Sequence, residues 1–355
     1  MTTAYINRIA TAVPTHDVHH AFVRYARTLL EDRRAVALFD RMVEKAQISH
    51  RYAILPAAVE PEGASVDATH VYSRERFPST GDRMRLYEKH APDLAERTVA
   101  GLELGEEARR ITHVIVTSCT GMYAPGLDLD MVQRCNLNPS VERTMVGFMG
   151  CYAAINALKL ARHIVRSEPT ARVLVLNLEL CSLHLQETKS VEQMLSFLVF
   201  ADGCAASIVS ADPVGLSLSS FRAVVVPDTA GLITWTIRDL GFDMVLSGRV
   251  PAAIREGLRT STTEILDGAS PESIDRWAVH PGGRSVLDAV EAGLQLGPAT
   301  LAASRDILDR FGNMSSATVM FVLQQILNAA APGERGCAMS FGPGLTAETM
   351  LFNKV

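Results

Sequence analysis

Residues 111–118 read Ile111-Thr112-His113-Val114-Ile115-Val116-Thr117-Ser118, and residues 274–280 read Ile274-Asp275-Arg276-Trp277-Ala278-Val279-His280. Each is a short apolar run that ends on a polar side chain, and each predicts a buried strand. About 160 positions separate them, and a second pair of segments repeats that offset. Phe148-Met149-Gly150-Cys151 opens one helical pattern, and Phe311-Gly312-Asn313-Met314 leads into another. Two unrelated element pairs at nearly one offset predict an internal duplication of one α/β unit about a pseudo-twofold axis. The matching strand ends and helix starts would then converge near that axis, at Cys151, His280 and Asn313.

The rest of the chain fits this frame. Arg172 to Leu180 and Asp202 to Val209 read as buried strands, the second bounded by turn residues, and Gly336 to Phe341 as another. Helical spacing of apolar residues runs from Cys151 to Arg166, through Ile155, Leu158, Ala161 and Val165. Val286 to Leu294, Ala302 to Phe311 and Ser315 to Leu327 read as further helices. The alternation favours an α/β architecture with parallel strands and covering helices. Ala57 to Ser79 is polar, rich in Pro, Glu and Ser, and reads as a loop.

Composition removes several function classes. The chain has 355 residues, 34 Lys+Arg against 39 Asp+Glu, a net charge of −5, 48% apolar and 21% charged residues. That describes a folded globular chain, and its mild acidity argues against non-specific nucleic-acid binding. The six cysteines are scattered with no CxxC pair, so neither a disulfide framework nor a zinc ribbon is expected. No metal site is expected. Met1 to Pro14 shows no signal-peptide pattern. The most apolar stretch, Phe197 to Val209, is interrupted by Asp202 and is too short to span a bilayer. A reduced, cytoplasmic protein is the expectation.

Three residues could carry chemistry together. Cys151 stands at a helix start, where free N–H groups and the helix dipole favour a thiolate, and a neighbouring His⁺ would lower its pKa further. Read alone, it is a small buried apolar residue. His280 ends a strand and precedes Pro281-Gly282-Gly283, at the strand end where α/β active sites gather; read alone, it is a structural histidine. Asn313 read alone is a helix N-cap. As a set, the thiol can accept an acyl group while the imidazole handles its proton. The imidazole and the amide can then both donate to one oxyanion, such as the enolate left when a malonyl thioester loses CO₂. A cysteine protease also uses Cys, His and Asn in this order, but the duplicated α/β pattern fits it poorly.

The motifs resemble the chalcone/stilbene-synthase-like type III polyketide synthases of the thiolase superfamily. The matching stretches are Gly147-Phe148-Met149-Gly150-Cys151-Tyr152-Ala153-Ala154, Val279-His280-Pro281-Gly282-Gly283, Gly312-Asn313-Met314-Ser315-Ser316-Ala317 and Phe341-Gly342-Pro343-Gly344-Leu345-Thr346. They follow family order and spacing over nearly the whole chain. Glu179-Leu180-Cys181-Ser182-Leu183-His184 looks like microbial members in particular. The resemblance implies a thiolase-like fold, with duplicated α/β halves in a layered α-β-α-β-α arrangement. Residues 1–215 would carry the nucleophile, and residues 216–355 the His and Asn.

The resemblance also implies an acyltransferase that loads an acyl-CoA starter on Cys151, extends it with malonyl-CoA and cyclises the product to an alkylpyrone or alkylresorcinol. His280 and Asn313 match the decarboxylation and condensation pair. Phe200 matches a gatekeeping aromatic between the CoA tunnel and the acyl cavity, and Trp235 approximates the second. Thr117, Cys119, His184, Ser315, Gly342 and Pro343 match positions that shape the cavity. Arg41 and Lys45, four apart on a predicted helix, match CoA-phosphate ligands; Leu38 replaces a third family lysine, and Ser340 replaces a family glycine. The implied enzyme needs no cofactor beyond its CoA substrates and is a homodimer. The alternatives are a single-condensation ketoacyl synthase of the same fold and a non-catalytic scaffold, against which the complete Cys-His-Asn set argues.

Overall fold

The computed structural model describes residues 2–355. In the first half, β1 (Tyr5–Ala12) leads to β2 (His16–Asp17), α1 (His19–Leu29), α2 (Arg33–Ala46), β3 (Tyr52–Ala53) and α3 (Thr80–Ala100). There follow β4 (His113–Ser118), α4 (Leu127–Arg134), β5 (Glu142–Gly147), α5 (Ala153–Ser167), β6 (Val173–Leu180), α6 (Val191–Val199) and β7 (Asp202–Ser210). The second half runs β8 (Leu216–Val225), β9 (Ile233–Arg238), β10 (Gly241–Leu246), α7 (Val250–Ile265), β11 (Arg276–Val279) and α8 (Arg284–Leu294). It ends with α9 (Ala302–Phe311), α10 (Thr318–Ala329), β12 (Arg335–Gly342) and β13 (Thr346–Lys354).

The duplication is visible in the strand order. One 9-stranded sheet runs β11-β12-β13-β8-β1-β7-β6-β4-β5. Outward from the β8–β1 junction, β8, β13, β12 and β11 mirror β1, β7, β6 and β4. The directions match as well. β12 pairs parallel with β11 and antiparallel with β13, as β6 pairs parallel with β4 and antiparallel with β7. β5 has no counterpart in the second half of this sheet. The halves join through Tyr5 and Ile6 of β1 against Leu216 and Ser217 of β8.

Side-chain alternation sorts the sheet into layers. In β6, Val173 and Val175 pack with α5 and α10 in one core, while Leu174, Leu176 and Leu178 pack with α3 and α4 in another. The second half sends Ala338 and Met350 to the α5/α10 core, and Cys337, Met339 and Leu351 to a third core with α7 and α8. The order is therefore α3/α4, first half-sheet, α5/α10, second half-sheet, α7/α8. Of the paired central helices, α10 is apolar nearly all round, as a sandwiched helix requires, while α5 buries one apolar face and carries Asn156, Lys159 and Arg162 on the other. Helices α1, α2 and α6 form a fourth core beside this stack.

Sequence periodicity placed these elements well. The predicted helix 302–311 is α9 to the residue, and the predicted strands lie within two residues of β4, β6, β7, β11 and β12. Residues 57–79 form a loop cross-linked by isolated bridges and the fully engaged Asp67 carboxylate.

Candidate active site

Cys151 and Asn313 stand at the starts of the two central helices, and His280 at the end of β11. Cys151 lies in a short 3-10 turn (Gly150–Tyr152) ahead of α5. This turn needs Gly150: its φ is +68°, and a Cβ there would lie 2.3 Å from Pro343 Cδ. The second half repeats the device, with Gly312 at φ +70° and Ser315 at φ +46° before α10. Asn313 is pinned from both sides of its backbone, its N–H donating to Val199 O at 2.7 Å and its carbonyl accepting from Ala201 N at 2.9 Å. Its side-chain oxygen accepts from Ser315 N at 2.8 Å, and Nδ2 donates to Gly282 O at 3.2 Å. The second amide hydrogen is left for the cavity.

His280 is 1% exposed, and neither ring nitrogen has a hydrogen-bond partner. A buried imidazole left without partners is costly unless a ligand completes it. Cys151, His280 and Asn313 line one largely apolar cavity, together with Cys119, Cys181, Phe200, Trp235, Ser315, Gly342 and Pro343. The structure thus brings together nine of the residues expected at the site.

The electrostatics differ from expectation. Burial pushes the Cys151 thiol up to about 12, against smaller favourable contributions from the Ser315 hydroxyl and the Asn313 amide. Burial also holds His280 down, at about 3. Desolvation of each group outweighs the helix-start effect, so the resting pair is a thiol beside a neutral imidazole.

Two other expectations are corrected. Thr117 lies outside the cavity lining. As an inner-face residue of β4 it bonds Asn177 Nδ2 at 2.7 Å and Ser316 Oγ at 3.2 Å, beneath the cavity. Cys119 and Thr120, just past the strand end, form the wall instead. His184 also sits behind the wall. It bonds Thr120 O at 2.6 Å through Nε2 and accepts from Phe242 N at 3.1 Å through Nδ1, which fixes a neutral tautomer. It stacks on Phe242 at 4.1 Å and braces the β9–β10 hairpin. Trp235, on that hairpin, lines the cavity and donates from Nε1 to Cys119 O at 2.7 Å. Phe200 faces both this cavity and a second apolar chamber.

The mouth is a groove that shares Leu246, Val250, Gly282 and Val286 with the cavity. Lys45 lines it, but Arg41 does not; Arg41 points back along α2, with Nε 3.3 Å from Ala37 O. Arg284, at the first turn of α8, is the groove's second cation. Its guanidinium reaches the backbone carbonyl of Lys45 at 3.5 Å, which joins the start of α8 to the end of α2.

The sequence reading also passed over Glu179. This carboxylate is fully buried on the inner face of β6. It accepts from Cys119 N at 3.0 Å, Cys119 Sγ at 3.2 Å, Thr120 Oγ1 at 2.9 Å and Ser316 Oγ at 2.6 Å. Burial raises its pKa, while these four donors oppose that shift. Ser315 Oγ lies 3.4 Å from Cys119 Sγ and 3.7 Å from Cys151 Sγ, joining Glu179's shell to the candidate nucleophile. Ser340 is fully buried off the cavity, its hydroxyl unpartnered.

Comparison with known proteins agrees with this architecture. Residues 2–213 match the N-terminal domain of chalcone and stilbene synthases, and residues 217–355 match their C-terminal domain. The alpha-pyrone synthesis polyketide synthase-like Pks18 of Mycobacterium tuberculosis is 34% identical, over 99% of this chain and 91% of its own. Among solved structures, PKS-I of the brown alga Ectocarpus siliculosus superposes with a TM-score of 0.89 at 27% identity, covering 100% of this chain and 99% of that one. The type III polyketide synthase domain of Dictyostelium Steely1 shares the fold, with a TM-score of 0.90 at 24% identity and 99% coverage of each chain. With its mirrored half-sheets and a thiol, imidazole and amide meeting at their axis, the chain belongs to the chalcone and stilbene synthase family of type III polyketide synthases, a family of acyltransferases.

Proposed function

We propose that this enzyme loads an aliphatic acyl-CoA on Cys151, extends it with malonyl-CoA and releases an alkylpyrone or alkylresorcinol. One observation carries the residue roles: both His280 nitrogens are buried without partners in the cavity that holds Cys151 and Asn313. In loading, His280 takes the thiol proton as sulfur attacks the starter thioester, and the departing CoA thiolate recovers that proton. Malonyl-CoA then loses its carboxylate as CO₂. The electron pair moves onto the thioester oxygen, which accepts hydrogen bonds from the imidazole N–H and the Asn313 amide. The enolate carbon attacks the Cys151 thioester and expels the thiolate, leaving a ketoacyl-CoA that can reload. An apolar cavity favours this sequence because it desolvates the malonyl carboxylate. Pyrone release needs only an enol oxygen to attack the terminal thioester and expel the thiol.

The apolar chamber beyond Phe200 supports an aliphatic starter, since it offers a greasy tail a place beside the nucleophile. The name of Pks18, an alpha-pyrone synthesis enzyme, points to the same product class. Incubation with medium-chain, long-chain and aromatic acyl-CoAs plus malonyl-CoA, read by mass spectrometry, tests this. Alkylpyrones or alkylresorcinols from the aliphatic starters are expected; use of aromatic starters or malonyl-CoA alone contradicts it.

We assign the mouth cations Lys45 and Arg284 to the CoA phosphates. Replacing both with glutamate should raise KM for malonyl-CoA by about tenfold or more, while the N-acetylcysteamine thioester, which has no phosphates, keeps its KM. Equal effects on both substrates would overturn the assignment. We also read the chain as two thiolase-like halves, 1–215 and 216–355, acting as a cytoplasmic homodimer. The exposed β5 edge supports pairing with a second copy, and light scattering at the mass of one chain would refute it. Among the described residues, no helix is long and apolar enough to cross a membrane.

A further inference from the structure

The second chamber contains one group that an apolar tail leaves unsatisfied. Arg51 lines it and is only 3% exposed. Its guanidinium lies 4.8 Å above the Phe22 ring, and Phe22 also faces the chamber. Nε donates to His19 Nδ1 at 3.0 Å, and Nη1 donates to Phe197 O at 2.9 Å and Phe200 O at 2.6 Å. Nη2 is buried with no partner. His19 accepts as a neutral ring, because burial holds its pKa near 3.

The nearby carboxylates are committed elsewhere. Asp17 accepts from His50 and the backbone N–H groups of His19 and Arg51. Asp202 accepts from Ser182 and Ile54. Asp67, in the chamber wall, accepts from the backbone N–H groups of Thr69, Val71 and Tyr72. Among the described residues no carboxylate lies within ion-pair distance of Arg51. A buried guanidinium with a free N–H and no direct counter-ion favours a ligand oxygen beside it.

Phe200 and Cys181 face both this chamber and the cavity of Cys151. An acyl chain on Cys151 that passes Phe200 would therefore run along apolar wall formed by Phe22, Leu185 and Phe197, with the Arg51 side chain in the same lining. We propose that the second chamber is an acyl subsite selective for chains whose far end carries a carboxyl oxygen. This rests on the acyl-CoA reading above and narrows the starter from plain aliphatic to ω-carboxylated acyl groups. Carboxylate is the expected end group because a charge-assisted bond to guanidinium is the strongest this donor can make. A methyl end would leave Nη2 unpaired.

The test compares decanoyl-CoA with its ω-carboxyl analogue of equal carbon number, each with malonyl-CoA. The wild type should favour the ω-carboxyl chain by about tenfold or more in kcat/KM. Arg51→Met should reverse that ratio in favour of decanoyl-CoA. Arg51 also ties down two backbone carbonyls, so Ala21→Trp, which fills the chamber from α1, serves as a second variant. It should bring the ratio to near one while lowering turnover of both chains. Turnover of both chains by the wild type with no preference, or a preference for decanoyl-CoA, overturns the subsite and leaves the polyketide synthase reading standing. An unchanged ratio in the Ala21→Trp variant does the same. Turnover of neither chain overturns the functional reading, and the subsite with it.

Discussion

Cys151→Ala should abolish acyl loading and lower product formation by on the order of 10⁴-fold or more. Alanine removes the atom assigned to hold the chain and leaves the neighbouring geometry intact, since the thiol makes a 3.7 Å approach to Ser315 Oγ and a minor contact with the Asn313 amide. Two other thiols line the same cavity, Cys119 and Cys181. Neither replaces it. Cys119 points its hydrogen at the Glu179 carboxylate, and both thiols are held well above their usual pKa by burial and that negative charge. The variant should therefore show no acyl adduct after incubation with starter CoA. Cys119→Ser should still load, because a hydroxyl can make the same bond to Glu179. Normal loading by Cys151→Ala would contradict the assigned role.

Asn313→Ala should give the second largest loss, with a different signature. Loading needs the thiol and the imidazole. Burial sets these near 12 and near 3, so between those values neither carries charge on its own. The thiolate grows in as pH rises toward the first value, and the imidazolium as pH falls toward the second. Near neutrality His280 is then the base for the thiol proton, and the Asn313 amide makes only a minor contribution. Decarboxylation differs, because negative charge develops on the malonyl thioester oxygen, to which the proposed mechanism assigns the amide as one of two donors. Removal of one such donor costs about 10²–10³ in rate. Asn313→Ala should keep a normal acyl adduct while CO₂ release from malonyl-CoA falls by that factor. The Asn313 side-chain oxygen also accepts from Ser315 N, so Ser315 must stay in place for the slow step to be read cleanly; unchanged thermal stability checks this. Equal loss of loading and decarboxylation would assign Asn313 to positioning rather than to the oxyanion.

Much of this was legible in the sequence, for identifiable reasons. Strands β4, β6, β7, β11 and β12 are buried on both faces and read as continuous apolar runs. The catalytic candidates sit where such runs stop and helices start, which is where sequence punctuation is clearest. The misplacements arise where a side chain's direction depends on distant partners. Thr117 is two residues from Cys119, yet the strand pleat turns it toward Asn177 and Ser316. His184 is directed by the Phe242 N–H, 58 positions away. Arg41 and Lys45 share a helix four residues apart, but only the last turn of α2 reaches the groove. The partner there is Arg284, from the far half of the chain. Glu179 lies in an apolar run and gave no local signal, because its four donors come from β4's exit and the start of α10.

The central claim is that one thiol among six carries the growing chain. Its most direct test is rapid quench of the wild-type enzyme with decanoyl-CoA in the absence of malonyl-CoA, followed by peptide mapping by mass spectrometry. One decanoyl group is expected, on the peptide that contains Cys151, lost when malonyl-CoA is added. A decanoyl group on the Cys119 or Cys181 peptide, or none before malonyl-CoA is added, would contradict it.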